Sequence, residues 1–313
     1  MPPKLSEAAP AKGILRRPAA WGLALLVALG GYVVYPRLRA HFGRGVAVRV
    51  SPLSGESAVL PARTYPGPSR PPAMSTHSMR VGDRVRSYIE IVPPALTTDR
   101  PALVVVLHGD GGDAQSFHRG FPFETASGDG AVVVYLDGLR ATWDLDSADG
   151  ENDDQVFVER VVAELRTRHG LRDAFGAAYS SGGFLLNLVA CRNPGLFRAI
   201  ATHAAGGPYS EKGRYPNGYV KCERQAPVAM MALHGTSDFG VPLAGGKFSA
   251  AYWAYVNGCS TVDADATGYP QCYAYRACPA GKAVAYCEIP GLGHWVWDDG
   301  AAASWTFFLA NRS

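Results

Sequence analysis

Four uncharged runs constrain this chain more than anything else in its sequence: residues 101–107 (PALVVVL), 131–136 (AVVVYL), 175–179 (FGAAY) and 228–233 (VAMMAL). A strand with one face in water alternates apolar and polar residues. A run that is apolar throughout must bury both faces, as a strand does inside a parallel sheet covered by helices. Helical segments fall between the runs. One is expected over 116–127. Another carries Phe157, Val158, Val161, Val162 and Leu165 on one face at helical spacing, and Asp153 or Asp154 can cap it. Opening strands are expected within 81–93, a small-residue strand at Ala199–His203, a helix over 247–255, a strand over 283–289 and a closing helix over 301–310. Strands alternating with helices predict an α/β chain on a mostly parallel, doubly wound sheet flanked by helices.

The turns that end these strands carry the candidate chemistry. Run 175–179 breaks at Ser180-Ser181-Gly182-Gly183, and an apolar helical run follows at once. A serine at a sharp strand-to-helix turn is lifted clear of the sheet. The next residue's amide, at the helix N-terminus, faces the oxyanion that forms in acyl transfer. Two serines compete. Ser180 gives a small-x-Ser-x-Gly pattern from Ala178 to Gly182, whereas Ser181 puts bulky Tyr179 at the crowded position, so Ser180 is taken as the nucleophile. A serine hydroxyl needs a base, and the base needs an orienting acid. The chain order Ser, acid, His is met by Ser180, by Asp238 after run 228–233, and by His294 on a glycine-rich loop after 283–289. Asp263 and Asp265 are rival acids but follow no buried run.

Other polar residues receive smaller roles. His108 and His234 end strands in His-Gly pairs and are expected to bond loop backbone; His203, at a strand end, is expected to be structural. The turn from His108 to Gly112 is expected to supply the second oxyanion amide from Asp110, with Gly111 the alternative, beside the amide of Ser181. It lacks the Gly-Lys-Ser/Thr ending of a phosphate-binding loop. Trp143 and Trp295 are candidates to hold a phenolic acyl group or a sugar face, with packing as the equal alternative. No Cys or His spacing suits zinc, so neither a metal nor an organic cofactor is expected.

The 313 residues suffice for one such domain of about 240 residues plus appendages. A net charge of +3 is too small to argue for a nucleic-acid partner. Residues 1–17 are polar and basic, and residues 18–35 run without a charge. That segment is either a transmembrane anchor or a secretory signal, and an uncleaved anchor in a membrane is the reading taken. Residues 36–75, rich in Pro, Gly and Arg, read as a tether, and 76–313 as the catalytic domain outside the cytoplasm. Six cysteines, all in the second half, behind an export signal read as disulfides, with Cys272–Cys278 a candidate local staple.

The motifs LHGDGG (107–112), YLDGL (135–139) with Trp143, SSGGF (180–184), LVAC (188–191), HGTSD (234–238), WAYVNGC (253–259) and IPGLGHWVW (289–297) occur in that order. As a set they resemble the polyhydroxybutyrate depolymerase and feruloyl esterase group of α/β-hydrolases, related to carbohydrate esterase family 1. The resemblance runs from about Val81 to Leu309. It implies an α/β-hydrolase fold and an extracytoplasmic serine carboxylesterase acting on feruloyl- or acetyl-sugar-type esters. It also implies Ser180, Asp238 and His294 as the triad. The sequence departs from the group at Ala178 and Ser181, which stand where its elbow has Gly and Asn. The loop from Asp144 to Asp154 adds six carboxylates. A polyhydroxyalkanoate depolymerase, an acyltransferase and an inactive binding module on a membrane stalk are the alternatives.

Overall fold

The computed structural model describes residues 47–312, apart from 97 and 210. Residues 18–35 lie outside the described residues. Among those described, no helix is long and apolar enough to cross a membrane.

The strands are β1 (Arg49–Ser51), β2 (Ala73–Val81), β3 (Arg84–Val92), β4 (Ala102–Leu107), β5 (Ala131–Leu136), β6 (Asp173–Tyr179), β7 (Ala199–His203), β8 (Gly213–Arg214), β9 (Val220–Lys221), β10 (Ala229–Gly235), β11 (Asp263–Ala266), β12 (Cys272–Tyr275) and β13 (Val284–Ile289). The helices are α1 (Ala114–Gly120), α2 (Glu124–Ser127), α3 (Asp153–His169), α4 (Ser181–Arg192), α5 (Leu243–Asn257) and α6 (Gly300–Ala310). All strands but β8 and β9 join one 11-stranded sheet. Its centre is the parallel block β13-β10-β7-β6-β4-β5. Antiparallel β3 and β2 extend one side. Antiparallel β12 and β11 extend the other, with β1 parallel at the far edge.

The uncharged runs are explained by burial on both faces. β4 and β5 are buried at every position. Leu103, Val105 and Leu107 pack in one cluster with Phe157 and Val161 of α3 and Leu185 of α4. Val104 and Val106 pack in the other with Phe117 of α1 and Trp305 and Phe308 of α6. Phe175 stacks on Phe308 with ring centroids 4.8 Å apart.

The structure corrects four expectations. The helix expected over 116–127 is two pieces, α1 and α2. Pro122, between them, has no N–H for a helical ladder, and the Tyr135 hydroxyl takes the Phe123 N–H at 2.7 Å and donates to the Phe121 carbonyl at 2.9 Å. Asn152, not Asp153 or Asp154, caps α3, accepting from the Gln155 N–H at 2.8 Å. Asp154 turns inward to Arg86, 2.5 Å away. The tether reading of 36–75 fails from Arg49 onward. β1 pairs with β11, Leu60 is fully buried, and Tyr65 bonds Thr306 at 2.9 Å. Finally, the cysteines pair as Cys191–Cys222, Cys259–Cys278 and Cys272–Cys287. The expectation of disulfides holds, but the Cys272–Cys278 staple does not. Cys272 lies directly opposite Cys287 in the β12–β13 ladder, while Cys278 reaches back to the end of α5.

Candidate active site

β6 delivers the chain to Ser180, which sits at φ 50°, ψ −124° before α4 begins. Such a conformation is strained for a residue with a Cβ and persists only where its surroundings hold it. Here the Ser180 N–H donates to the His203 carbonyl at 3.0 Å, and its carbonyl accepts from the N–H groups of Gly183 and Phe184. Gly182 and Gly183 let the turn fold this tightly. A Cβ on Gly182 would lie 2.4 Å from the His108 carbonyl, and one on Gly183 2.5 Å from the Ala205 methyl. Both glycines were visible in the sequence; the neighbours that require them were not.

From this turn a hydrogen-bonded line crosses three loops. The Ser180 hydroxyl lies 2.9 Å from His294 Nε2, and His294 Nδ1 lies 2.9 Å from Asp238 Oδ2. The other carboxylate oxygen accepts from the N–H groups of Gly240 and Val241 at 2.8 and 2.9 Å. Burial opposes ionisation of Asp238. Hydrogen bonds from His234, His294 and the Val241 amide outweigh it and hold the carboxyl well below the usual carboxylate range. An ionised Asp238 accepts from Nδ1–H, which leaves Nε2 to accept from the serine hydroxyl. Asp263 and Asp265 sit on β11, ion-paired with Arg49 and Arg276.

The loop after β4 lies against the same turn. A Cβ on Gly109 would come within 2.7 Å of the Tyr179 ring and 3.0 Å of the Ser180 Cβ. The Gly111 amide is committed to the Ala141 carbonyl at 2.8 Å, which leaves Asp110 as the candidate donor on this loop. The Asp110 carboxylate accepts from the Thr142 hydroxyl at 2.5 Å and holds the turn. His108 braces it as a loop-bonding histidine: Nδ1–H donates to the Gly109 carbonyl at 2.7 Å, and Nε2 accepts from the Gly138 N–H at 2.9 Å.

The two tryptophans separate. Trp143 is corrected from a substrate contact to a brace. It is 4% exposed, and its indole N–H donates to the His108 carbonyl at 2.8 Å. Trp295 is 45% exposed beside His294, edge-on to Phe117 and Tyr179. Ser181 opens α4, where the first amides have no acceptor within the helix. His203 is structural: it is enclosed, edge-on to Phe121, and burial pushes its pKa down to about 3. The acidic loop is knitted to the domain. Asp144 accepts from the Asp146 and Ser147 N–H groups, and the buried Arg192 guanidinium holds the Ser147 carbonyl at 2.9 Å and Glu211 at 2.7 Å.

Two site residues had no signal in the sequence. The Tyr179 hydroxyl donates to the His294 carbonyl at 2.8 Å, and its ring packs 5.1 Å from the imidazole. Burial, then the charge of Asp238, pushes its phenol up to about 12, so it stays a donor. Gly240 fits against the imidazole so closely that a Cβ would lie 2.7 Å from the ring. Among the described residues no group of His, Cys, Asp or Glu is arranged to hold a metal ion.

No family model matches the chain. It is 24% identical over 266 residues to a protein named probable feruloyl esterase C of Aspergillus flavus, which covers 78% of this chain and 90% of that one. NocK of Nocardia uniformis subsp. tsuyamanensis is 29% identical over 196 residues; the match spans 58% of this chain but only 54% of NocK. Acetylxylan esterase of Coprinopsis cinerea is 30% identical over 151 residues, 44% of this chain and 40% of the relative. Among solved structures, acetyl xylan esterase from Aspergillus awamori superposes with a TM-score of 0.60 at 18% identity, covering 75% of this chain and 99% of that one. A feruloyl esterase module from Clostridium thermocellum, complexed with sinapinate, superposes with a TM-score of 0.51 at 12% identity, covering 85% and 94%. The fold is that of an α/β-hydrolase, and the relatives bear out the resemblance to a feruloyl esterase-like, ester-hydrolysing group.

Proposed function

We propose that this chain is an extracytoplasmic serine carboxylesterase that cleaves feruloyl or acetyl esters of sugars. The carrying observation is the line Ser180–His294–Asp238, joined by two hydrogen bonds of 2.9 Å. Ser180 attacks the ester carbonyl while His294 Nε2 takes its proton. Asp238 holds the imidazole and stabilises the imidazolium. The amides of Ser181 and Asp110 receive the oxyanion. His294 then protonates the leaving alcohol, and water, activated by the same imidazole, releases the acid from Ser180. Trp295 offers an exposed flat face beside the histidine for the acyl group or a sugar ring. The paired cysteines support an oxidising compartment, and the names of the relatives support the ester class.

The test is hydrolysis of methyl ferulate, p-nitrophenyl acetate and a hydroxybutyrate oligomer by residues 47–313, each beside Ser180→Ala. Turnover of the first two by the unmutated protein alone is expected. Preference for the oligomer would move the reading to a polyhydroxyalkanoate depolymerase. A folded protein that cleaves none of them would overturn the enzyme reading.

A further inference from the structure

Asp238 Oδ2 receives a second imidazole. His234, the last but one residue of β10, places Nε2 3.2 Å from the same oxygen that His294 Nδ1 contacts at 2.9 Å. The His234 side chain is fully buried. Its Nε2 also lies 2.9 Å from the Val241 carbonyl. Both of these partners are acceptors, so the hydrogen must sit on Nε2, shared between them. Nδ1 has no hydrogen-bond partner and faces Gly246 of α5, where a Cβ would approach to 2.6 Å. A hydrogen there would be buried and unpaired, so the geometry accommodates the ring hydrogen on Nε2. His234 is faced by Asp238 and the Val241 carbonyl from its own loop and by Gly246 from α5; Glu288 stands opposite it in the β10–β13 register, paired with Lys247 of α5 at 2.8 Å, and Asp238 is the titratable group within hydrogen-bond reach.

We propose that His234 is a positioning residue of this site. It is a second N–H donor to the catalytic carboxylate and fixes Asp238 at the angle that His294 requires. The proposal rests on the serine-esterase reading above. Without His234, the carboxylate keeps its two backbone amides on Oδ1, but Oδ2 answers to His294 alone. Two effects follow from that geometry. The carboxylate gains freedom to rotate away from the imidazole, which lowers kcat. When it does engage, Oδ2 is shared with no second donor and interacts more strongly with His294, which stabilises the imidazolium and moves the acid limb of kcat/KM to higher pH.

The test compares His234→Leu, which removes the donor, with His234→Gln, whose amide nitrogen carries two hydrogens, one for each acceptor. The Leu variant is expected to lose about tenfold or more in kcat with KM little changed, and its acid limb to rise by roughly half a unit or more. The Gln variant is expected to recover kcat to within about threefold of the unmutated enzyme, with its acid limb restored. Equal impairment of both variants with an unmoved acid limb would overturn the proposal and leave His234 a packing residue, as would a Leu variant with unchanged kcat. The proton resonance of His294 Nδ1–H gives a readout independent of turnover and of the ester-cleaving reading. It should shift in the Leu variant and return in the Gln variant. An unshifted resonance in a folded Leu variant contradicts the proposal even if no ester is ever cleaved.

Discussion

Single residues at this site are set by what surrounds them, and His203 shows this in its simplest form. It ends β7, gives its carbonyl to the Ser180 N–H, and carries an imidazole that burial pushes down to about 3. The unfolded chain binds a proton at this residue below about pH 6.5, whereas the native one does not until about 3. Stability therefore falls as pH drops through that window. Asp238, whose carboxyl is held low, contributes above its ordinary range and loses that contribution only under stronger acid, so it does not confuse the test. A thermal scan at pH 7 and pH 5 should show a loss of about 2 kcal/mol in the unmutated protein, or roughly 4–8 °C. His203→Gln should show a markedly smaller drop; an identical drop in both would contradict the burial account. Ser180, Asp238 and His294 were legible as a candidate triad because each stands on a loop that follows a strand of the parallel block, β6, β10 and β13 in turn, in the order that acyl transfer requires. Trp143 was left open between substrate contact and packing for a physical reason. A tryptophan near a polar loop looks exposed until the carbonyl it holds, that of His108, is known.

At the scale of elements, legibility follows burial. β4, β5, β6 and β10 were readable because burial on both faces forces an unbroken apolar run. β2 was not, because eight of its nine residues are fully or partly exposed along an edge strand and carry no such pattern. The cysteine pairing was hidden for a related cause. It depends on the antiparallel register of β12 against β13, which sets Cys272 opposite Cys287. That bridge closes a sequence separation of 15, a loop for which chain entropy predicts about 3 kcal/mol. Replacing both cysteines with alanine should lower the melting temperature by several degrees while leaving the triad loops in place. A variant with an unchanged melting temperature would show that the β12–β13 ladder needs no covalent support.

For the whole molecule, the boundary matters most. The Pro-rich segment before β2 looked like a tether because its anchors are isolated: one leucine, Leu60, and one tyrosine, Tyr65, in a stretch with no period. Leu60 is nonetheless fully buried, its carbonyl accepts from the Gly268 N–H at 2.9 Å, and β1 completes the sheet edge on β11. Burying one leucine contributes about 2 kcal/mol, and the strand pairing adds to it. A chain beginning at Thr76 should therefore melt lower than one beginning at Ala47; equal melting would return residues 47–75 to the role of a tether. The fold as a whole gathers loops from the ends of β4, β6, β10 and β13 at one edge of the parallel block. That is why four distant stretches of sequence meet at one serine.

The most direct test of that meeting is covalent. Residues 47–313 are treated with a fluorophosphonate, digested and mapped by mass spectrometry, beside Ser180→Ala and Ser181→Ala. One adduct per chain at Ser180 is the expected result, retained in Ser181→Ala and absent in Ser180→Ala, whose ester turnover should fall by about a thousandfold or more. An adduct at Ser181, or turnover that survives in Ser180→Ala, would contradict the account.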